Sequence, residues 1–525
     1  MKFGKKAIAL IMATVFATAG LSGCQGEKTS GEAETKKLTF WTTLPSAIQT
    51  KVKNYGETPF YQEVMKKTGV DIEFVHPSAA GSSEQFNVML ASKDYPDMIE
   101  NDWSSYPGGE AKACEDGILT DLTDYIDEYA PNFKRFLEEE CPDAEKWVTT
   151  DGRYYVIPSL SSDKDYTNQV GLWIRKDYLD KYGLSVPTTI DELEKCLTVF
   201  KENGVKYPFF DKRTNPFGYY CIPGSAFDAT SNVIVKDNEV QNPYFNTGMR
   251  EFMETMTRWY KNGLVDPEMY SMDWNSFDSK IAEGSLGTLI TDLKQIETRT
   301  EIIKKSVPEA EFVAVPFLSK NKNENPNMIY YSRLNGYTFA NAVGISSNCK
   351  DVGAALKFLD YAYSDEGHRL YNFGVEGVSY EMKDGKPVFT DTILANKDGL
   401  TKEEALTMYT RAEAAGYVET SYYDQLYTQQ YQKDAAKLWS DQFKAAATPP
   451  EFFWRACYKL TAEESDEISN YQLGYSSYAT EMAVKFATGV ESMENYDAFL
   501  NDLISKGAKD CLMVYNQAFD RLKFD

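Results

Sequence analysis

The chain is predicted to be an α/β protein with a helix-rich carboxyl-terminal part, and three observations carry this prediction. Strand and helix patterns alternate between residues 38 and 101, a second alternation begins near Gly171, and helical patterns dominate after Gly399. Strands that alternate with helices of this length favour a parallel sheet with helices on both faces. With 525 residues, the chain is long enough for two or three domains.

The first alternation reads strand, helix, strand, helix, strand. Thr58 is a suitable N-cap for the first helix, Pro59 suits its first position, and Gly69 ends it. Ligands of open α/β sheets gather at the carboxyl ends of strands, which directs attention to the residues after the first and third strands. The five elements are Leu38–Thr42, the helix from Pro59 to Gly69, Val70–Val75, Ser82–Lys93 and Asp97–Asn101.

The second alternation starts with the strand pattern Gly171–Arg175 and the short helix Lys176–Lys181. Thr189, with Glu192 three residues later, predicts a capping box at the next helix. The later predicted elements are the helix Ser276–Glu283, the strands Leu286–Thr291, Glu311–Val315 and Tyr337–Ser346, and the helices Val352–Tyr363, Ala405–Ala415, Leu426–Ala447, Glu463–Thr488, Tyr496–Ser505 and Cys511–Phe519.

The amino terminus has the pattern of a secretory signal over residues 1–23. Lys2, Lys5 and Lys6 precede the apolar stretch 7–20, which small residues follow. Those 14 residues would rise only about 21 Å as a helix, which is short of the roughly 30 Å hydrocarbon core of a bilayer. The segment is therefore predicted to be a signal peptide and not a membrane span, and no second apolar run is long enough to span.

The residues Leu21-Ser22-Gly23-Cys24 resemble a bacterial lipobox, which implies cleavage before Cys24 and lipidation of its thiol. An ordinary signal peptide with a chance cysteine is the alternative. Residues 24–37 contain no aromatic or branched apolar side chain, so they are predicted to be a disordered tether. The expected location is the outer face of the bacterial cytoplasmic membrane, with the lipid as the only membrane contact.

The net charge disfavours nucleic acid as a partner, and the cysteine spacing does not indicate a metal site. Removal of residues 1–23 takes away three lysines and no acid, so the net charge changes from −24 to −27. A field of this sign repels polyanions, and nucleic acid is not an expected partner. The seven cysteines other than Cys24 are scattered and have no neighbouring histidine. We therefore predict free thiols, with one disulfide left open, and neither a metal site nor a cofactor.

Aromatic and polar residues follow the first and third predicted strands. Sugars expose apolar ring faces and rims of hydroxyl groups, so a sugar cleft needs flat aromatic platforms beside polar side chains. For each tryptophan the alternative is packing in the core. The candidates at these strand ends are Trp41, Thr42, Asn101, Asp102, Trp103 and Tyr106.

Four further ligand-binding candidates lie elsewhere in the chain. Trp274 is predicted to lie in the loop before the helix 276–283, and Trp454 lies in an aromatic segment of the helical part. Asp292 ends a predicted strand, where it would accept ligand hydroxyls or cap the next helix. Glu376 lies between two nearby glycines, a pattern that favours a turn first and a binding role second.

Catalytic patterns are absent from the sequence. His76 and His368 are the only histidines, and neither belongs to a nucleophile or metal motif. The nucleophile elbow, the zincin helix and the phosphate-binding loop are all missing. A glycosidase that uses two of the 79 acidic residues as a catalytic pair stays an alternative. The separation of such a pair is set by the fold and not by sequence spacing.

Several stretches, in their order and spacing, resemble the family 1 extracellular solute-binding proteins of bacterial ABC importers, in the large lipoprotein branch associated with oligosaccharides. The resemblance implies a two-lobe, periplasmic-binding-protein-like fold of type II, with a cleft between the lobes and hinge closure on binding. It assigns 38–165 plus about 330–390 to lobe 1, and 166–329 plus about 391–525 to lobe 2. The stretches are 61–77, 85–90, 95–99, 151–158, 173–193, 357–366, 373–380, 485–489 and 516–521.

The resemblance also implies a function without catalysis. The protein would act as a monomer that captures an oligosaccharide and delivers it to the transmembrane subunits of an ABC permease. A surface glycosidase, a binding protein for peptides or other solutes, and an adhesin are the alternatives. Some relatives carry a calcium-type loop after the helix that here ends near Asn203, but residues 203–208 lack its alternating carboxylates. Calcium is therefore not predicted.

Overall fold

The structure is a computed structural model. Residues 1–36, which contain the predicted signal and Cys24, lie outside the described part, and so does Trp454. No helix within the described part is long and apolar enough to cross a membrane. The structure describes residues 37–78, 81–161, 169–212, 222–229, 233–236, 239–324, 326, 338–395, 399–412, 414–418, 420–445 and 460–521.

The described strands follow the predicted order, with several additions. They are β1 (Leu38–Trp41), β2 (Ile72–Val75), β3 (Met98–Asn101), β4 (Val156–Ser161), β5 (Val170–Arg175), β6 (Ile234–Lys236), β7 (Glu239–Gln241), β8 (Thr288–Asp292), β9 (Phe312–Ala314), β10 (Thr338–Ile345), β11 (Tyr380–Lys383), β12 (Lys386–Phe389) and β13 (Gly416–Val418).

The α-helices dominate the last part of the chain, as predicted. They are α1 (Pro59–Thr68), α2 (Ser82–Ser92), α3 (Gly109–Glu115), α4 (Thr123–Tyr129), α5 (Pro131–Arg135), α6 (Glu145–Val148), α7 (Lys176–Tyr182), α8 (Ile190–Glu202), α9 (Thr247–Lys261), α10 (Trp274–Glu283), α11 (Gln295–Lys304), α12 (Val352–Asp360), α13 (Asp365–Phe373), α14 (Asp391–Leu394), α15 (Lys402–Tyr409), α16 (Thr420–Leu426), α17 (Gln430–Lys444), α18 (Ala462–Thr488), α19 (Tyr496–Ser505) and α20 (Ala508–Arg521).

Two main sheets organise the described part, and the pairs β6-β7 and β11-β12 form two further sheets of two strands each. The larger has the order β13-β4-β10-β3-β1-β2, in which β1 runs parallel to β2 and β3, while β10 runs antiparallel to β3 and β4. The smaller has the order β8-β5-β9 and is antiparallel throughout. The α/β class is confirmed, and β1, β2 and β3 are parallel as predicted, whereas β10 and the strands of the smaller sheet are antiparallel to their neighbours. A short, fully buried strand such as β5 has the same sequence pattern in either direction.

The first helix forms as its terminal residues predict. The Thr58 hydroxyl accepts a hydrogen bond from the Tyr61 N–H at 3.3 Å, and Gly69 ends α1 with a φ of 69°. That left-handed conformation favours glycine because other residues would strain there. Phe60, Tyr61 and Val64 on one face of α1 are buried. The ring of Tyr61 lies 4.5 Å from that of Phe74 in β2, so this face of α1 packs against the larger sheet.

The cap of α8 differs from the predicted capping box by one residue. The Thr189 hydroxyl accepts a hydrogen bond from the Glu192 N–H at 3.2 Å, as expected. The Glu192 carboxylate, however, accepts hydrogen bonds from the backbone N–H and hydroxyl of Thr188, both at 2.8 Å. Because Thr188 and Thr189 are adjacent, the local backbone conformation decides which of them the Glu192 carboxylate contacts. The capping-box pattern does not specify that conformation.

The chain returns to the larger sheet late, through β13. Gly416 pairs with Ser159 of β4, and its φ of 130° suits glycine. The predicted helix Ala405–Ala415 therefore ends early, at Tyr409. The pairing places residues 416–418 beside β4, although the sequence prediction assigned 391–525 to lobe 2. The alanine-rich residues 405–415 have a sequence pattern typical of a helix. Strand β13 has only three residues, which is too short for a strand pattern to be recognised in the sequence.

Helix α17 packs closely on the smaller sheet. Trp439 is fully buried, donates a hydrogen bond from its indole N–H to the Val315 carbonyl oxygen at 2.9 Å, and meets Trp173 edge to face at 5.3 Å. A Cβ at Gly171 would overlap the indole ring of Trp439. The absence of a side chain at Gly171 is what permits this contact between β5 and α17.

We predict that Gly171→Ala lowers the free energy of unfolding by about 1–3 kcal/mol, because the new methyl group overpacks a rigid contact. Thermal unfolding followed by circular dichroism measures the change. Gly81→Ala is the control, because its Cβ would meet only the ends of two polar side chains, the Ser78 hydroxyl at 3.2 Å and the Gln85 amide at 3.7 Å. Equal stability of the two variants would contradict the packing described for Trp439.

Cys114, Cys196, Cys349 and Cys511 are free thiols, which agrees with the prediction of mostly free thiols. Cys196, Cys349 and Cys511 are buried, and Cys114 and Cys141 are half-buried. Burial raises the pKa of Cys196 and of Cys349 to about 11. Thiols with such pKa values are poor nucleophiles.

Candidate functional site

A cavity of about 460 Å³ lies at the carboxyl ends of β1 and β3. Because these strands are parallel, with Trp41 opposite Ile99, the residues that follow them reach the same edge of the sheet. Among the predicted candidates, Trp41, Asn101 and Tyr106 line this cavity together. The lining residues are Trp41, Thr43, Ser82, Ser83, Phe86, Asn87, Leu90, Glu100, Asn101, Ser105, Tyr106 and Pro107.

Helix α2 supplies one wall of the cavity. Met89 is its one buried residue, whereas Phe86 and Leu90 are half-buried and line the cavity with Asn87. The helix therefore contributes apolar surface and an amide group to the same opening as Trp41. A sugar ring exposes an apolar face and a rim of hydroxyl groups. The cavity wall offers apolar, amide and hydroxyl groups that match them.

Trp103 does not form the open platform that the sequence suggested. It is 0% exposed, and it meets Phe86 edge to face at 5.9 Å. It packs in the core cluster beneath the cavity, together with Ile99 and Leu119. The alternative of core packing therefore applies to Trp103, because the turn after β3 directs its ring inward.

Thr42 and Asp102 act mainly within the protein. Thr42 is buried, and its hydroxyl donates a hydrogen bond to the Glu100 carboxylate at 3.1 Å. The Asp102 carbonyl oxygen accepts hydrogen bonds from the N–H and the hydroxyl of Ser105, at 3.0 and 2.6 Å. These contacts shape the cavity from behind, and neither residue is among those that line it.

An ion pair between Glu100 and Arg411 lies at the base of the cavity, and the sequence analysis missed it. The Arg411 Nη2 atom lies 3.0 and 2.9 Å from the two carboxylate oxygens of Glu100. The side chains are 12% exposed for Arg411 and 11% for Glu100. No local pattern marks this pair, since Arg411 lies 311 residues after Glu100.

Tyrosine rings surround the guanidinium group of Arg411. Its carbon Cζ lies 4.8 Å from the ring centroid of Tyr55 and 5.8 Å from that of Tyr61. Burial of Arg411 opposes its charge, but the Glu100 carboxylate beside it raises the pKa of Arg411 above its usual value. Burial raises the pKa of Tyr55 to about 12. The arginine therefore keeps its charge, and the tyrosines stay neutral.

The ring of His76 bridges two backbone groups at the end of β1. Its Nδ1 atom lies 2.7 Å from the Thr42 carbonyl oxygen, and its Nε2 atom accepts a hydrogen bond from the Tyr55 N–H at 3.1 Å. This network assigns the proton to Nδ1 and requires a neutral ring. Burial lowers the pKa of His76, in agreement with that arrangement.

We predict that the stabilisation from His76 declines in mild acid. Its pKa in the folded protein is lower than the value of about 6.5 in an unfolded chain. Below that pH the unfolded chain therefore binds more protons, and stability falls. The stability difference between wild type and His76→Gln should be larger above about pH 7.5 than near pH 5. Denaturant titrations measure it, and a difference independent of pH would contradict a neutral His76.

A second group of candidates surrounds α10 and α11. Trp274 is 63% exposed and is the first residue of α10, so the prediction that it lies in a preceding loop is wrong. Asp273 caps the helix two residues earlier than expected, accepting a hydrogen bond from the Ser276 N–H at 2.7 Å. The Lys212 ammonium lies 4.4 Å from the centre of the Trp274 ring, so one face of this ring is already in contact with a cation.

Asp292 behaves as a helix cap, which was one of its two predicted roles. Its carboxylate accepts a hydrogen bond from the Gln295 N–H at 2.8 Å, at the start of α11. In the same region the Arg299 guanidinium lies 5.1 Å from the centre of the Phe277 ring. Burial lowers the pKa of Arg299. These side chains do not line the cavity at β1 and β3.

Glu376 is an exposed residue of a turn. Gly374 and Gly377 adopt φ values of 84° and 77°, and the Tyr380 hydroxyl donates a hydrogen bond of 3.4 Å to the Glu376 carboxylate. The turn that the glycine pattern favoured is present, and Glu376 does not line the cavity. Across the described residues, no cluster of three or more His, Cys, Asp or Glu side chains is arranged to hold a metal ion.

The described part of the chain is an α/β fold with a cavity at the carboxyl ends of two parallel strands. The chain belongs to the bacterial extracellular solute-binding protein family, whose model matches residues 42–369. This match confirms the resemblance found in the sequence.

Individual relatives agree with the family over most of the chain. The fructooligosaccharide ABC transporter substrate-binding protein FusA of Streptococcus pneumoniae is 24% identical, over 93% of this chain and 90% of FusA. Lipoprotein LipO of Bacillus subtilis is 25% identical, over 78% of this chain and 80% of LipO. The crystal structure of the alginate-binding protein AlgQ2 without calcium ion has a TM-score of 0.74 at 24% identity, covering 93% of this chain and 99% of AlgQ2. The structural likeness confirms the periplasmic-binding-protein-like fold.

Proposed function

We propose that this protein is the substrate-binding lipoprotein of an ABC importer and that it captures an oligosaccharide. The observation that carries the proposal is the cavity at the ends of β1 and β3. Half-buried aromatic rings of Trp41 and Phe86 lie there beside the amides of Asn87 and Asn101 and a row of hydroxyl groups. Apolar ring faces and hydroxyl rims of a sugar match this combination of groups.

The names of the relatives support a carbohydrate ligand. FusA is named for fructooligosaccharides and AlgQ2 for alginate, which are both carbohydrates. Both are also named as binding proteins and not as enzymes, which favours capture over cleavage. A glycosidase remains the alternative from another class, and recovery of unchanged ligand distinguishes the two.

We propose that two lobes are built on the two sheets and close around the ligand by a hinge. The first contains 38–161 together with 338–395 and 399–418, and the second contains the smaller sheet and the last helices. The sheet topology supports this division, because among the described strands none of the sheet β13-β4-β10-β3-β1-β2 pairs with a strand of the sheet β8-β5-β9.

Anchoring through Cys24 is part of the proposal, and the description of LipO as a lipoprotein supports it. The mature protein would face outward from the cytoplasmic membrane as a monomer and meet the permease subunits there. The negative charge of the chain disfavours nucleic acid as a partner.

We predict that Cys24→Ser abolishes lipidation, because serine offers no thiol for acylation. The measurement is incorporation of radiolabelled palmitate in cells, together with partition into detergent. Cys114→Ser is the matched control, since Cys114 is a free thiol of the folded part, and it should keep the label. A labelled Cys24→Ser protein would contradict the anchor.

The experiment that tests the proposed function is a thermal-shift screen of the mature protein against neutral and acidic oligosaccharides, short peptides and other solutes. A ligand at 100 times its dissociation constant adds about 2.7 kcal/mol to stability. We expect shifts with oligosaccharides, and we expect the sugar to be recovered unchanged. Shifts confined to peptides, or cleavage of the sugar, would contradict the proposal.

A further inference from the structure

The formal charge on the lining of the cavity at β1 and β3 is negative. Among the described residues that line it, Glu100 is the only one with a formal charge. The hydroxyl of Tyr106, on the same lining, donates a hydrogen bond of 2.8 Å to Asp116, which also holds the Lys112 ammonium. The lysine is therefore engaged away from the cavity. A ligand group that enters meets one carboxylate, several neutral polar groups and apolar rings.

The Glu100 carboxylate is fixed from behind. Arg411 donates to both of its oxygens, and the Thr42 hydroxyl donates to Oε2 at 3.1 Å. A carboxylate offers about four acceptor positions, and these contacts use three. The remaining position on Oε1 suits one further donor.

The ion pair is oriented with its negative end toward the cavity. Arg411 is not among the lining residues, and its guanidinium lies against the buried rings of Tyr55 and Tyr61. The two charges cancel at long range, but a ligand in the cavity is nearer to the carboxylate. The net charge of the chain, −24, adds to the same sign of potential.

From this arrangement we propose that the cavity receives an uncharged sugar unit and discriminates against uronate units, with Glu100 as the residue that sets the preference. The inference rests on the proposed saccharide-binding function and narrows its ligand class. A neutral sugar hydroxyl donates its proton into a hydrogen bond with the Glu100 carboxylate, which strengthens because the acceptor is charged. A uronate brings a second carboxylate beside the first, and like charges at such an interface are strongly unfavourable.

The test compares matched neutral and acidic ligands on the mature protein. The probes are trigalacturonic acid and its methyl ester, which share one skeleton, together with the neutral trisaccharide kestose and an alginate trimer. We expect wild type to prefer the neutral probes by about tenfold or more. Glu100→Gln removes the charge and keeps a side-chain oxygen, so this preference should fall toward unity in that variant.

Glu84→Gln is the matched control. Glu84 is an exposed residue of α2 that does not line the cavity, and its replacement removes the same charge from the same region. The ratio of neutral to acidic affinity should match that of wild type. If the Glu100→Gln variant does not fold, the double variant Glu100→Gln/Arg411→Gln is used in its place. The double variant removes both charges of the ion pair.

The outcomes separate this inference from the function on which it rests. Wild type that binds an acidic probe as tightly as its neutral counterpart would overturn the inference and leave saccharide capture intact. An unchanged ratio in a folded Glu100→Gln variant would overturn the role of Glu100. Failure of every saccharide to bind would contradict the proposed function and the inference together.

Discussion

Replacing Trp41 with alanine is expected to weaken oligosaccharide binding by about 30-fold, which corresponds to about 2 kcal/mol for a central aromatic contact. Trp41 is half-buried at the end of β1 and lines the cavity, so a large part of its ring is available to a sugar face. Loss of the ring removes this apolar contact together with the indole N–H donor. Calorimetric titration of wild type and variant with the same sugar measures the change.

Two further variants show whether the flat ring is the cause of this loss. Trp41→Phe keeps an aromatic face and should lose less affinity than Trp41→Leu, which keeps apolar volume only. Leu473→Ala is the control for an exposed apolar residue away from the cavity, since Leu473 is 82% exposed on α18. If Trp41→Ala binds as tightly as wild type, the cavity at β1 and β3 is not the saccharide site.

Replacing Arg411 with methionine is expected to lower the free energy of unfolding by about 3–5 kcal/mol, because it leaves a buried carboxylate without its partner. Both members of the pair are about nine-tenths buried, at 12% and 11% exposure. Denaturant titration at neutral pH measures the loss. The double variant with Glu100→Gln should recover part of it, since no uncompensated charge stays behind.

The Arg258–Glu194 pair offers the matched comparison. Its guanidinium nitrogen lies 2.6 Å from the carboxylate, but the side chains are 46% and 21% exposed. A pair of this exposure contributes only about 0–1 kcal/mol, so Arg258→Met should cost far less than Arg411→Met. Equal costs would show that burial of the Glu100–Arg411 pair does not govern its energetics.

Local signals predicted much of the fold and part of the candidate site. The cap at Thr58, the proline after it and the glycine at 69 define α1 within a few residues, because each acts through contacts near in sequence. The rule that ligands gather at strand ends identified Trp41, Asn101 and Tyr106, which the cavity brings together. These inferences succeeded because helix ends and the alternation of strands with helices are largely local properties of the sequence.

Features that depend on distant contacts escaped the sequence analysis. Arg411 reaches Glu100 only through tertiary folding, and no spacing rule connects residues 311 positions apart. The burial of Trp103 depends on Phe86 and Leu119 packing around it. The strand direction of β5 depends on its partners β8 and β9. These contacts form only when distant parts of the chain pack together, so no short stretch of the sequence predicts them.

The central claim, capture of an oligosaccharide without catalysis, is tested most directly by calorimetric titration of the mature protein with the sugar that gives the largest thermal shift, followed by analysis of the recovered sugar. We predict saturable binding of one sugar per chain and a sugar recovered intact. Recovery of shorter fragments would identify an enzyme, and an absence of saturable binding across the oligosaccharides would contradict the claim.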